Sequence, residues 1–286
     1  MKKIAFIGTG VMGKSMVMNL IKKGFEVTIY ARNRQKVEDL ISNGAIFCET
    51  LESCVKNKDA IITIVGYPKD VEEVYFSQNG IINSASKNSY LIDKTTTSPS
   101  LSIQIYNSAK EKGLKALDAP VSGGDIGAKN GTLSIMVGGD KEDFEACKEI
   151  FQAMGTTILH EGKAGNGQHT KMANQIAIAG LMAGISEAIA YGKKTGLDIE
   201  TMIKSISNGS AQSFHMTNSA PKMNKRDFSA GFYIKHVVKD LKIANEEVSG
   251  LKVLKDVLEM YETLEKNGDG ELGTQALCKY YEIDKK

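Results

Sequence analysis

Three short clusters in this 286-residue sequence pair reactive side chains with glycine at spacings that suit chemistry. The first is Gly8-Thr9-Gly10-Val11-Met12-Gly13, which follows the apolar run Ile4 to Ile7 and opens an amphipathic stretch. In that context the spacing predicts a cradle for a dinucleotide. The first glycine permits a tight turn, the second lets backbone approach a pyrophosphate, and the third lets a helix pack close to the strand. The helix N-terminus adds free N–H groups. A second apolar run ends in Tyr30-Ala31-Arg32-Asn33-Arg34. An acid at that position would bind a ribose 2′-hydroxyl, whereas arginine accepts a 2′-phosphate. Arg32 and Arg34 therefore favour NADP, with NAD still usable, although the same charges also suit a solvated turn.

The second cluster is Asp118-Ala119-Pro120-Val121-Ser122-Gly123-Gly124, placed just beyond another apolar run. Backbone N–H groups of Ser122, Gly123 and Gly124, with the Ser122 hydroxyl, suit a substrate carboxylate. They equally suit a strand-to-helix turn that needs glycine. The third is Gly165-Asn166-Gly167-Gln168-His169-Thr170-Lys171-Met172-Ala173-Asn174-Gln175. On a helix Lys171, Asn174 and Gln175 occupy i, i+3 and i+4 and share one face. A lone lysine is usually solvated. Here the helix that follows is so apolar that the three polar groups are expected to line a cleft.

The elements that must position these clusters change character along the chain. Up to about residue 164, short apolar runs alternate with longer amphipathic ones, which predicts a doubly wound parallel sheet of the Rossmann kind. The strand candidates are Ile4 to Ile7, Val27 to Tyr30, Ala60 to Val65, Tyr90 to Asp93, Lys115 to Asp118, Leu133 to Val137 and Thr156 to Leu159. Helices are expected over Val11 to Lys23, Arg34 to Asn43, Pro99 to Lys112 and Lys141 to Met154. From residue 165 to 286 only helical periodicity remains, with helices expected near Gln168 to Thr195, Ile199 to Ser207, Ile234 to Val248 and Leu251 to Asn267. The expected α/β architecture is thus an N-terminal dinucleotide domain, 1–164, and an all-α domain, 165–286.

Composition narrows the class of ligand. Hydrophobic residues make up 42%, and 36 Lys+Arg against 34 Asp+Glu leave a formal charge of +2, with the charges dispersed. No nucleic-acid partner is expected from that balance. Cys48, Cys54, Cys147 and Cys278 are scattered without a CxxC, which argues against a disulfide framework or a zinc site and for the cytoplasm. His160, His169, His215 and His236 lack metal-ligand spacing, so no metal is expected. The apolar segment Ile176 to Ile185 is too short to span a bilayer and reads as a buried helix, and no membrane partner is expected.

Taken in order and at these intervals, the three clusters resemble the β-hydroxyacid dehydrogenase family, which includes 3-hydroxyisobutyrate dehydrogenases, tartronate semialdehyde reductases and glyoxylate/succinic semialdehyde reductases. The resemblance spans essentially the whole chain. It implies hydride transfer between NADP(H) and a small β-hydroxy acid or semialdehyde acid. It further implies that Lys171 is the catalytic lysine, that Asn174 and Gln175 orient substrate, and that Ser122, Gly123 and Gly124 bind its carboxylate. Asp93-Lys94-Thr95-Thr96 resembles the family segment that puts Thr96 beside the nicotinamide ribose. Phe232 and Lys239-Asp240-Leu241 resemble the part of the helical domain that closes over cofactor and substrate. Within that resemblance Phe232 and Asp240 are expected at the substrate, and Lys239 at the cofactor together with Gly8, Gly10, Val11, Met12, Gly13, Arg32, Asn33, Arg34, Val65, Pro68 and Thr96. Many relatives carry Asn where this chain has Gln175, a departure shared by tartronate semialdehyde reductases. Homodimers or homotetramers are implied. A non-catalytic NADP-binding protein has no use for Lys171, Asn174 and Gln175 on one face, imine reductases generally lack the lysine, and 6-phosphogluconate dehydrogenases are much longer. The first two remain the alternative readings.

Overall fold

The computed structural model describes residues 1–282, so the last residues of the expected second domain, 283–286, lie outside the described residues. The chain divides into two compact units, Met1–Lys171 and Met172–Lys286.

In the first unit nine strands form one sheet. They are β1 (Lys3–Ile7), β2 (Glu26–Tyr30), β3 (Ile46–Cys48), β4 (Ala60–Thr63), β5 (Tyr90–Asp93), β6 (Lys115–Asp118), β7 (Val121–Ser122), β8 (Leu133–Gly138) and β9 (Gly155–Gly162). The order is β3-β2-β1-β4-β5-β6-β8-β7, with β9 on β8. Strand side chains alternate between faces, and here both faces are apolar. Ile4 and Phe6 of β1 join a core with Met16, Val17 and Leu20 of the helix Val11–Lys22. Ala5 and Ile7 join an opposite core with Val71, Tyr75, Ile105 and Ala109. That two-sided burial is why the strands read as unbroken apolar runs.

The sheet is mostly parallel, as expected, with one antiparallel stretch. β1 to β6 pair in parallel, but β8 runs antiparallel to both β6 and β7 before β9 rejoins it in parallel. The chain doubles back through the Asp118–Gly124 segment, where the sequence pattern showed only a turn. Two helix expectations also change. Arg34–Val37 is a 3-10 turn ahead of the helix Glu38–Ser42, and the stretch expected from Lys141 to Met154 is broken at Cys147.

The second unit is helical. Its core collects Met172, Ala179, Met182, Ile185 and Ile189 from the helix Asn166–Lys194, Val237, Val238, Leu241 and Ala244 from Ile234–Glu247, and Leu254, Val257, Leu258, Tyr261 and Leu264 from Lys252–Lys266. By length and composition alone the helix Asn166–Lys194 passes for a membrane span. One face of it lies in this core while Leu181 and Tyr191 are exposed, so the helix expected to be buried is only partly so.

Candidate active site

Four neighbouring strands, β1, β4, β5 and β6, bring their carboxyl ends together at the point where strand order reverses between β1 and β4. Open α/β sheets bind ligands there. Gly8 leaves β1 with φ +97°, and a Cβ on it would run into the carbonyl oxygen of Ile64. A Cβ on Gly13 would strike the Gly8 carbonyl oxygen. Both glycines are thus required by close backbone packing. Gly10 differs, because a Cβ there meets nothing within 4 Å and the residue is exposed. It precedes the helix Val11–Lys22, which has no side-chain cap and no acid in its first turn. The first N–H groups of such a helix lack intrahelical partners, so the open space over Gly10 fits a pyrophosphate. Exposed Val11 and half-buried Met12 begin the same turn.

At the end of β2, Arg32 and Arg34 are exposed. Arg32 reaches only to 3.9 Å from Glu73. Arg34 lies 3.2 Å from Glu38, 4.0 Å from Glu49 and over the Phe47 ring. Such exposed pairs hold a guanidinium weakly, so both remain able to exchange a carboxylate for a phosphate. Asn33 caps the following turn through Gln35 N–H at 2.9 Å. Pro68 sits at the first position of the helix Pro68–Phe76, where its missing N–H costs nothing.

From the glycine loop a line of hydrogen bonds crosses the sheet's carboxyl edge. Val65, just past β4, donates its N–H to Thr95 Oγ1 at 3.0 Å. Thr95 C=O accepts from Gln168 Nε2 at 2.7 Å, and Thr97 N–H donates to Gln168 Oε1 at 3.1 Å. Half-buried Thr96 lies between these two anchors. Asp118, at the end of β6, accepts Gly165 N–H at 2.8 Å on one oxygen and Gln168 N–H at 2.9 Å on the other. The carboxylate thereby caps the helix that carries Lys171. Lys171 follows one turn later and is 7% exposed.

Two buried groups underlie the Thr95–Thr97 loop. Burial pushes the Asp93 carboxyl up to about 6 even though Thr95 and Thr63 donate to it. Burial pushes the Lys94 amine down to about 7, and its Nζ lies over the Phe151 ring. Asp118 is also raised by burial, against the pull of its backbone N–H donors.

Ser122 ends β7, and Gly123 and Gly124 follow with φ of +128° and +63°. Two successive left-handed residues demand glycine, and both are exposed. The turn expected here is therefore present, and it is glycine that makes it possible.

In the second unit, Gln175 Nε2 donates to Asp240 Oδ2 at 2.6 Å, while Gln175 Oε1 accepts from Asn174 Nδ2 at 2.8 Å. Asp240 Oδ1 stands 2.8 Å from Lys239 Nζ. The sequence singled out all four residues but not this chain. Phe232, 38% exposed, stacks on His236. Among the described residues no group of three or more His, Cys, Asp or Glu is arranged to hold a metal ion. Gln168 and the capping role of Asp118 escaped the sequence reading, because their partners are 47 to 73 residues away.

Comparison with known proteins covers nearly the whole chain. Residues 3–162 match the family model described as the NAD binding domain of 6-phosphogluconate dehydrogenase. Residues 165–281 match the one described as NAD-binding of NADP-dependent 3-hydroxyisobutyrate dehydrogenase. An uncharacterized oxidoreductase of Bacillus subtilis is 52% identical over 98% of this chain and 99% of its own. A probable mitochondrial 3-hydroxyisobutyrate dehydrogenase-like protein of Arabidopsis thaliana is 42% identical over 96% of this chain and 84% of its own. Among solved structures, the Mycobacterium tuberculosis 3-hydroxyisobutyrate dehydrogenase with L-serine superposes with a TM-score of 0.89 at 26% identity, covering 97% of this chain and 98% of that one.

Proposed function

The chain belongs to the 3-hydroxyisobutyrate dehydrogenase group of the β-hydroxyacid dehydrogenase family, NAD(P)-dependent oxidoreductases, and we propose that it reduces a small semialdehyde acid with NADPH, using Lys171 as proton donor. The observation that carries this reading is the placement of a buried lysine one turn into a helix that Asp118, at the end of β6, caps and that Gln168 ties to the loop after β5. That puts it on the same sheet edge as the glycine loop.

A dinucleotide whose pyrophosphate the glycine loop held would supply the hydride from its reduced nicotinamide. The chain's own residues do the rest. The Lys171 ammonium hydrogen-bonds the carbonyl oxygen and gives it a proton as negative charge builds there; in the oxidative direction the neutral amine takes the hydroxyl proton. Ser122 and the N–H groups at Gly123 and Gly124 hold the substrate carboxylate, turning binding energy into orientation. Asn174 presents its amide on the helix face of Lys171. Gln175 spends its donor on Asp240, and so supports Asn174 and fixes Lys239. Val65, Pro68 and Thr96 would border the cofactor, and the roles of Phe232 at the substrate and Lys239 at the cofactor rest on the family resemblance alone.

NADPH preference rests on Arg32 and Arg34 in place of an acid at the end of β2. Succinic semialdehyde, glyoxylate, tartronate semialdehyde and methylmalonate semialdehyde form the substrate class. Four free thiols suit the cytoplasm, and exposed Leu181 and Tyr191 suit a homodimer or homotetramer. The test is oxidation of NADPH and NADH followed by absorbance across those four compounds. Turnover of at least one semialdehyde acid, faster with NADPH, supports the reading. Tight cofactor binding without turnover of any of them contradicts it.

A further inference from the structure

We infer that Gln168 is a positioning residue that sets the distance between the nicotinamide-ribose contact at Thr96 and the proton donor Lys171. The inference rests on the catalytic reading just given.

Gln168 is fully buried. Its carboxamide makes a two-point bridge across Thr96, donating to the carbonyl of Thr95 at 2.7 Å and accepting from the N–H of Thr97 at 3.1 Å. Its own backbone N–H is held by Asp118 at 2.9 Å. One residue is thus tied to the loop after β5 through its side chain and to the end of β6 through its main chain. Lys171 lies three residues further along the helix, a rise of about 4.5 Å, on the same face. Thr95 also accepts the N–H of Val65, so the loop bridged by Gln168 is tied to the strand end against which Gly8 packs. Gly167 makes the close approach available, since a Cβ there would press on the carbonyl oxygens of Met136 and Asp118.

Shortening or lengthening this bridge moves the two reacting partners relative to each other. A primary amide suits the task because it carries a donor and an acceptor in one plane, matched to one C=O and one N–H. Aspartate or asparagine is too short by a methylene. Glutamate has the right length, but as a carboxylate it turns an acceptor toward the carbonyl of Thr95. Protonated, it regains the donor.

Three variants test this: Gln168→Met, Gln168→Glu and Lys171→Met. The readouts are kcat, the primary deuterium isotope effect with 4-deuterated NADPH, and the Kd of adenosine 2′,5′-bisphosphate, which lacks the nicotinamide ribose as well as the nicotinamide. For Gln168→Met the expected results are a kcat about 10- to 100-fold lower, as for a reacting group misplaced by about an ångström, a larger isotope effect, and adenosine 2′,5′-bisphosphate binding within about twofold of the parent. Gln168→Glu should recover activity as pH falls and lose it as pH rises, relative to the parent. Parental kcat and isotope effect in Gln168→Met, with Lys171→Met inactive, overturn the inference while leaving the catalytic reading in place. Loss of adenosine 2′,5′-bisphosphate binding in parallel with kcat also overturns it, because the damage would then be general. Full activity in Lys171→Met removes the catalytic reading itself.

Discussion

Gln175 and Asp240, 65 residues apart in sequence, are joined by a 2.6 Å hydrogen bond between two side chains that are 6% and 1% exposed. The bond ties the polar face of the helix Asn166–Lys194 to the helix Ile234–Glu247, and it leaves the second Asp240 oxygen beside Lys239 at 2.8 Å. A buried carboxylate that loses a donor is costly, about 2 kcal/mol for a hydrogen bond to a charged group. Gln175→Leu is therefore expected to lower the unfolding free energy by about that amount, read as a lower urea midpoint, and to lower kcat/KM. Circular dichroism and steady-state assays check this, and an unchanged midpoint would show that the bond contributes nothing.

The glycine loop gives a second prediction, because two of its glycines are required for different reasons. Gly10→Ala has open space for its methyl group, so the protein without cofactor should melt as the parent does. Its cofactor-induced rise in melting temperature should be much reduced, since the methyl would occupy the open space proposed for the pyrophosphate. Gly13→Ala, whose methyl meets the Gly8 carbonyl, should lower the melting temperature without any cofactor. Equal behaviour of the two variants in differential scanning fluorimetry would contradict the assignment.

The proposed preference for NADPH rests on Arg32 and Arg34. Replacing both with serine removes two cations able to pair with a 2′-phosphate, and KM for NADPH should rise by about tenfold or more, with KM for NADH nearly constant. A parallel change in both would place the 2′-phosphate elsewhere.

Lys94 provides a pH-dependent prediction. Its amine is buried over Phe151 and pushed down to about 7, whereas in the unfolded chain it titrates near 10.4. Between those values the unfolded chain binds more protons, so stability from this group rises with pH across that window. Below about pH 7 the cost of burying the charge is fully present. Lys94→Met should raise the melting temperature near pH 6 by roughly 5 °C, with a smaller gain near pH 9.5. The same gain at both pH values would mean the buried amine is not the source.

Sequence pattern revealed the first unit wherever burial is continuous, as in Ile4 to Ile7 and Ala60 to Thr63, because two covered faces leave unbroken apolar runs. It missed β3 and β7, of three and two residues, which are too short to show a period. It missed the helix Pro68–Phe76 as well, although Pro68 and the Tyr67–Asp70 capping pattern announce its start. At the site, residue types and spacing brought out Lys171, Asn174 and Gln175 on one helix face. What they did not reveal is the support beneath. Asp118 as a helix cap, Gln168 across Thr96, and Asp240 behind Gln175 all depend on which strand ends and helices the fold makes neighbours. No local pattern records those contacts.

The most direct test of the catalytic account is single-turnover reduction of the best semialdehyde acid by bound NADPH in the parent and in Lys171→Met, with the Kd of NADPH measured for both. The account predicts cofactor affinity within about threefold and hydride transfer slower by about 100-fold or more. Hydride transfer at the parental rate in the variant would contradict it and would place the proton donor elsewhere in the site.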